Sequence, residues 1–272
     1  MSSNTWPIIV GGCHRSGTSV IRRILNASSR IHCGPEVKFF RDFYGDFFED
    51  PIRHLRFATT ARTLLPEAEL LEVLGGAFVA AHQRAAARAG KSRWADKTPE
   101  NVLYLAQWRR LLGTRWTFIH VVRNPLDTLA SMKERNFPLS LPVTLDERID
   151  FYRRYTEAGL RFGESYPDQY YRLIYEDLVQ RPEAKLRNMM CWLDEVFEPG
   201  QLEFNQFTHQ EGLEDPNVAA TSYIHSQSVG RWSDAFTRDQ ASLIWRRTRE
   251  LWSQLDPENR FLPNRCAVNL IA

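Results

Sequence analysis

The sequence predicts one α/β domain of three layers. A mostly parallel central sheet is expected, entered through a strand–loop–helix of the phosphate-loop kind. Three observations predict it. Residues Pro7-Ile8-Ile9-Val10-Gly11-Gly12-Cys13-His14-Arg15-Ser16-Gly17-Thr18-Ser19 run from a hydrophobic strand into a glycine-rich turn, and an amphipathic stretch from Val20 to Leu25 follows. Farther along, the buried-type strand Trp116-Thr117-Phe118-Ile119-His120-Val121-Val122 ends in Arg123-Asn124-Pro125, and a helical segment from Leu126 to Arg135 follows it. Around these, short apolar runs alternate with helical patterns, as parallel strands joined by crossover helices require.

The first strand is expected over residues 7–11, with the turn and a helix to Asn26 after it. Arg30-Ile31-His32-Cys33 reads as a short second strand. Val37 to Phe48 is dense in aromatic residues (Phe39, Phe40, Phe43, Tyr44, Phe47, Phe48), which suits a helix or lid over an acceptor site or, equally well, core packing. Residues 66–90 are rich in alanine and leucine and predict a helix weakened in its middle by Gly75-Gly76. Arg93 to Asp96 reads as a strand. Thr98-Pro99 then opens a helix to Leu112, with threonine as cap and proline in the first turn. Gly113-Thr114 turns into the strand that ends at Arg123. Thr144-Leu145-Asp146-Glu147 is a capping-box pattern that starts a helix to about Phe162. Tyr170 to Tyr175 alternates as a strand closed by Glu176-Asp177, and Pro182 to Leu193 reads as helix. Residues 199–228 are loop-rich and polar. Thr237-Arg238-Asp239-Gln240 is a second capping box, and its helix runs to Leu255 before Asp256-Pro257 ends it. Residues 1–272 form one expected domain, with 38–92 and 136–165 as helical insertions and 256–272 as a tail.

Composition narrows the function. A net charge of +2 gives no support to a dedicated nucleic-acid binder. The basic residues near the first turn (Arg15, Arg22, Arg23) suit one small anionic ligand instead. The four cysteines, at 13, 33, 191 and 266, make no C-x-x-C pair, so neither zinc nor a disulfide framework is expected. They read as free thiols of a reducing compartment. Most of the eight tryptophans are expected in the core, although their rings could line an acceptor pocket. The start, Met1 to Trp6, is short and polar for a signal peptide, and no segment has membrane-spanning length. A cytoplasmic enzyme without a membrane partner is the expectation, and a homodimer stays open.

The chemistry lies in the two strand–helix turns. An ATP-type loop reads G-x-x-x-x-G-K-[ST]. Gly12 and Gly17 keep that spacing, but Thr18 stands at the lysine position and Arg15 is the one fixed cation of the turn. Such a loop suits a phosphate-like anion better than a magnesium-bound triphosphate. In a nucleotide triphosphatase the second strand would end in a magnesium-ordering aspartate. This one ends in Arg123, and Ser131, in the following helix, could join it around a second anion. Two such turns suggest a ligand with two separated phosphates and no metal.

These paired segments resemble those of sulfotransferases that use 3′-phosphoadenosine-5′-phosphosulfate (PAPS). Cys33-Gly34-Pro35-Glu36 resembles the stretch of tyrosylprotein sulfotransferases whose glutamate is the catalytic base, with Pro35 where they carry a second glutamate. Ala95-Asp96-Lys97-Thr98-Pro99 resembles their asparagine-lysine-aspartate-proline stretch, which supplies a catalytic lysine. Val229-Gly230-Arg231-Trp232-Ser233-Asp234-Ala235-Phe236-Thr237 resembles the C-terminal cofactor segment of the wider family. The family's basic pair before that element is not matched; His225-Ser226-Gln227-Ser228 stand there. The resemblance implies a sulfotransferase or nucleotide-kinase-like fold, a first loop on the 5′-phosphosulfate, and Arg123 with Ser131 on the 3′-phosphate.

Sulfuryl transfer requires a cation near the bridging oxygen, donors around the sulfuryl group and a base for the acceptor hydroxyl. Arg15 is the candidate cation. Backbone N–H groups of Ser16, Gly17, Thr18 and Ser19, with the Thr18 and Ser19 hydroxyls, are candidates for the 5′-phosphate. Glu36 is the favoured base; His14 and His225 are rivals, and Asp42 and Asp46 weaker ones. Lys97 would stabilise the leaving group or a sulfuryl oxygen, the alternative being a surface salt bridge with Asp96. Tyr175 stands where the family places a tyrosine near the adenine, with a core role an equal alternative, and Ser226, Ser228, Gly230 and Arg231 are further cofactor candidates. The acceptor stays open among a tyrosine or other phenol, a sugar and an aliphatic alcohol, with the first slightly favoured. Two other functions are carried beside this one: a phosphate-loop kinase or triphosphatase, and a non-catalytic phosphoadenosine binder.

Overall fold

The computed structural model describes residues 5–45, 60–135, 141–210, 223–258 and 260–261. Asp46, Phe47, Phe48 and Cys266 lie outside the described residues. Five apolar runs become strands: β1 (Ile8–Gly12), β2 (Ile31–Cys33), β3 (Arg93–Lys97), β4 (Thr117–Val122) and β5 (Tyr170–Ile174). They pair in the order β2-β3-β1-β4-β5, and every pairing is parallel. All but β5 are buried along their whole length, as expected of strands covered on both faces. Alternation sorts their side chains: Ile9 and Phe118 join the core on one side, whereas Ile8, Val10, Ile119 and Val121 join the core on the other.

The second of these cores is closed by α1 (Thr18–Asn26), α7 (Tyr175–Gln180), α8 (Pro182–Trp192) and the 3₁₀ turns of Pro199–Gln206. The first takes α2 (Phe39–Tyr44), α3 (Glu67–Arg88), α4 (Leu105–Leu112), α5 (Pro125–Glu134), α6 (Leu145–Ser165), the short α9 (Trp232–Ala235) and α10 (Arg238–Leu255). Both expected capping boxes form. Thr144 and Thr237 accept from the backbone N–H groups of Glu147 and Gln240, whose side chains reach back.

Several expectations need correction. The helix predicted from Thr98 to Leu112 is a 3₁₀ turn, Pro99–Leu103, and then α4, with a break at Tyr104. Thr98 makes no cap; its hydroxyl donates to the Val37 carbonyl at 3.2 Å. The break follows from Asn101, whose amide donates to Asp96 Oδ1 at 2.6 Å and to the β1 carbonyl of Val10 at 3.1 Å. The helix expected over 66–90 forms as α3, unbroken through Gly75-Gly76, and a Cβ at Gly75 would come within 2.6 Å of Leu111. Tyr175, expected to end a strand, opens α7, and Glu176-Asp177 continue that helix. Part of the predicted 199–228 loop is helical. In α2 the alternative of core packing holds: Phe40 and Phe43 are buried, and Phe39 stacks on Phe78 at 4.5 Å. Cys13, Cys33 and Cys191 are free thiols.

One contact reverses an ordinary helix rule. Gly159 of α6 faces His120 of β4, and a Cβ there would lie 2.2 Å from the imidazole. The ring is fully buried and held through Nδ1 by the Tyr170 hydroxyl at 2.9 Å. Glycine-to-alanine in a helix usually stabilises by about 0.5–1 kcal/mol. Here overpacking by roughly 1–3 kcal/mol should win. Gly159→Ala is therefore expected to lower the midpoint of thermal unfolding, and a raised midpoint would show that α6 can shift away from β4.

Candidate active site

The residues that carry chemistry follow the carboxyl ends of the strands. The turn with Arg15 follows β1, Glu36 follows β2, Lys97 ends β3, Arg123 follows β4 and Tyr175 follows β5. The helices after β1 and β4 pack on opposite faces of the sheet, since Ile21 and Ile24 join one core and Leu126 and Leu129 the other. That divergence opens a crevice at the sheet's carboxyl edge, where open α/β sheets bind ligands.

The turn after β1 is set by contacts that glycine alone permits. A Cβ on Gly12 would lie 2.2 Å from the Val121 carbonyl of β4. Gly17 has φ 100°, and a Cβ there would strike the Tyr175 ring at 2.4 Å. Arg15 itself is left-handed, at φ 67°. Ser16 N–H donates to the Cys13 carbonyl at 3.1 Å, so that amide closes the turn instead of facing an anion, unlike the expectation. Its hydroxyl is buried with no hydrogen-bond partner among the described residues. Thr18 and Ser19 begin α1, and their N–H groups precede the first intrahelical bonds, which Val20 and Ile21 make to the Gly17 carbonyl.

Arg15 and Arg123 meet at one corner. Arg15 Nε donates to Ser131 Oγ at 3.0 Å, and Arg123 Nη1 donates to the Arg15 carbonyl at 3.0 Å. Arg123 also donates through Nη2 to the Ser228 carbonyl and lies 4.8 Å over the Tyr175 ring, while its Nε is buried with no partner among the described residues. With His225, Tyr223 and Arg231 these residues line an open cleft of about 640 Å³. Gly230 enters differently from expectation, because its N–H donates to Asp127 Oδ2 at 2.8 Å. Trp232 N–H takes the other oxygen at 3.1 Å, so Asp127 anchors the loop over the cleft. Arg231 pairs with Glu134 at 2.7 Å, and Ser226 is exposed.

The second cluster surrounds Glu36. Lys97 Nζ donates to Glu36 Oε2 at 2.6 Å and reaches Ser19 Oγ at 3.4 Å. Its side chain is 0 % exposed, which excludes the alternative of a surface bridge to Asp96. Asp96 faces the other side of β3, toward Asn101 and His82. Lys38 Nζ lies 2.8 Å from Glu36 Oε1. Burial pushes the Glu36 carboxyl up, but the two ammonium groups outweigh it and hold the group below the ordinary carboxylate range. Of the rival bases, His14 Nε2 sits 3.2 Å from Glu100 and packs on Phe151 and Tyr155, whereas His225 belongs to the cleft wall. Asp42 lies in the first turn of α2.

Residues 7–199 match the family described as "Sulfotransferase family". The chain belongs to the sulfotransferase family. A Caenorhabditis briggsae relative named "Putative protein-tyrosine sulfotransferase" is 27% identical over 241 residues, covering 85% of this chain and 82% of the relative. A Caenorhabditis elegans relative of the same name is 24% identical over 229 residues, covering 80% and 84%. Among solved structures, the sulfotransferase domain of the Synechococcus PCC 7002 olefin synthase aligns with TM-score 0.66 at 20% identity over 96% of each chain. The sulfotransferase domain from the curacin biosynthetic pathway aligns with TM-score 0.61 at 17% identity, over 93% of this chain and 97% of its own. Both show the same fold.

Four residues of this sulfotransferase site were not singled out from sequence: Lys38, Glu100, Asp127 and Glu176. Lys38 shares the turn of Glu36, and Glu100 lies three residues beyond Lys97, so proximity was the only available signal. Asp127 sits in the first turn of α5, a common acidic position that says nothing about a loop near residue 230. Glu176 accepts from Asn124 N–H at 2.9 Å, and its other oxygen is buried with no partner among the described residues. Burial raises its pKa from 4.5 to about 7, against the pull of Arg123 and the Asn124 amide. A carboxyl raised in this way binds an extra proton in the native state, so its contribution to stability falls as pH rises through that window. The enzyme's unfolding midpoint should therefore drop more between about pH 5 and about pH 8 than that of Glu176→Gln. Equal drops in thermal scans would show that this carboxyl titrates normally.

Proposed function

We propose that the enzyme transfers a sulfuryl group from PAPS to an acceptor hydroxyl, with a tyrosine phenol favoured over a sugar or an aliphatic alcohol. The observation that carries this reading is the Lys97–Glu36 pair at 2.6 Å, set beside Ser19 of a phosphate-type loop that has Thr18 in place of lysine. The names of the two Caenorhabditis relatives support the tyrosine acceptor, as does the resemblance of the Glu36 turn.

The residues fit a donor with two phosphate ends. The α1 N-terminus and the buried Ser16 hydroxyl suit one end, and Arg123, with an unpartnered Nε beside Ser131, suits the other. Tyr175 would pack against the adenosine from the cleft wall. The bound donor supplies the activated sulfuryl group: its S–O bond to phosphate breaks as the S–O bond to the acceptor forms. Glu36 takes the acceptor's proton. Lys97, already at Ser19, offers positive charge to the sulfuryl and leaving oxygens, and Arg15 adds a second cation across the loop. Each carboxylate oxygen of Glu36 keeps a lone pair beyond its lysine, so accepting a proton does not require both pairs to break.

Calorimetry distinguishes this from a kinase. 3′-Phosphoadenosine-5′-phosphate should bind without added metal and more tightly than ATP with magnesium; the reverse order would favour a triphosphate enzyme. Arg123→Ala should weaken that bisphosphate while sparing adenosine 5′-phosphate. Glu36→Gln should lower turnover by about 100-fold or more while bisphosphate affinity stays, since general-base removal typically loses 10²–10⁴-fold. A parent that binds the bisphosphate yet sulfates no member of a hydroxyl panel would be a binder only.

A further inference from the structure

Glu36 is paired with two lysines, and the second of them is contested. Lys38 Nζ lies 2.8 Å from Glu36 Oε1 and donates to Glu100 Oε1, also at 2.8 Å. Glu100 is 4 % exposed. The same Oε1 meets Arg41 Nη1 at 3.1 Å and lies 3.2 Å from His14 Nε2. Three separate pieces of chain therefore converge on one buried carboxylate: the loop after β1 through His14, the turn after β2 through Lys38, and α2 through Arg41. Burial alone would push that carboxyl up; His14 and Lys38 hold it well below the ordinary range, so it carries its charge. A buried carboxylate this heavily paired is strongly oriented, and removing it leaves buried cations uncompensated.

Two ammonium groups on a single carboxylate make it a poorer proton acceptor. An anion that shares one of them restores part of that basicity. We propose that Glu100 is a positioning residue of the transfer reaction: by dividing Lys38 between two carboxylates, it limits how far Glu36 is neutralised and holds the Glu36 turn against the loop after β1. This rests on the reading of Glu36 as the base. The groups that bear on Glu36 are Lys97 from β3, Lys38 from its own turn and Glu100 from the 3₁₀ turn after β3. Those that bear on Glu100 are His14, Lys38, Arg41 and, from α6, Tyr155.

The sign of each substitution follows. Glu100→Gln removes the opposing negative charge and leaves Lys38 to Glu36, so Glu36 should titrate lower. Lys38→Met removes a cation from Glu36, so it should titrate higher. A merely structural role would displace both in one direction or neither. The measurement is a carboxyl ¹³C titration of the full chain labelled at glutamate, with Glu36→Gln assigning the resonance. Opposite displacements of about one pH unit each are expected. A Glu36 that stays charged to the acid limit of the fold counts as lowered. Displacements of the same sign, or none, overturn the proposal. If Glu100→Gln does not fold, Lys38→Met decides alone, and a midpoint that fails to rise overturns it. Turnover separates the two layers of argument. A Glu36→Gln enzyme that still transfers sulfate overturns the base reading and the proposal with it. An inactive Glu36→Gln enzyme with titrations that do not part overturns the proposal alone.

Discussion

A fully buried ammonium at the end of β3 organises much of this molecule. Lys97 cannot lie there charged without a partner, because an isolated ion in a dry interior would lose its proton or open the fold. Glu36 is that partner, at 2.6 Å, and it comes from the turn after β2, the neighbouring strand. The turn is then held from other sides. Arg22 of α1, itself buried, donates through Nε to the Gly34 carbonyl at 2.7 Å and through Nη2 to the Gln210 carbonyl at 2.7 Å. Thr98, just past Lys97, donates to the Val37 carbonyl. The ion pair is thus embedded in a frame that joins the phosphate-type helix, the edge of the sheet and the chain leading toward the cleft.

What could be read in the sequence was what depends on neighbours in sequence. The loop after β1 was legible because its glycines answer to backbone crowding: Gly12 against Val121, Gly17 against Tyr175. Both capping boxes were legible because they close within four residues. The strand that leads to Arg123 was legible because a strand buried on both faces leaves a continuous apolar run. The break at Tyr104 was not, because its cause is Asn101 reaching Val10, a residue 91 positions away. Gly75 in α3 looked like a weakness in isolation, and only the presence of Leu111 shows it to be a close approach. Of the candidate site, the arginines, Lys97 and Glu36 could be named from motif and resemblance. The residues that hold them could not: the Asp127–Gly230 bond spans 103 positions, and Glu100 meets His14 and Lys38 only after three elements fold together.

Two buried carboxyls at the same edge of the sheet show how the site divides its electrostatics. Burial is the leading influence on both Glu36 and Glu176, and it pushes both upward. Glu36 ends below the ordinary range because two ammonium groups sit on its two oxygens. Glu176 ends at about 7 because burial outweighs the backbone N–H groups of Asn124 and of Glu176 itself and an arginine whose hydrogen bonds go elsewhere, to the Arg15 and Ser228 carbonyls. Environments that drive like groups apart are the usual sign of a division of labour between acid and base forms. The first carboxyl is held as an anion beside Lys97. The second, pushed up to about 7, is near its midpoint at neutral pH, so it cancels less of the Arg123 charge than a full carboxylate would. The corner lined by Arg15, Arg123 and Ser131 therefore keeps a positive field, while the corner with Glu36 and Lys97 keeps an anion and a cation side by side. The arginine corner and the Glu36–Lys97 pair occupy separate strand ends, and the loop after β1 touches both, through Arg15 on one side and Ser19 on the other.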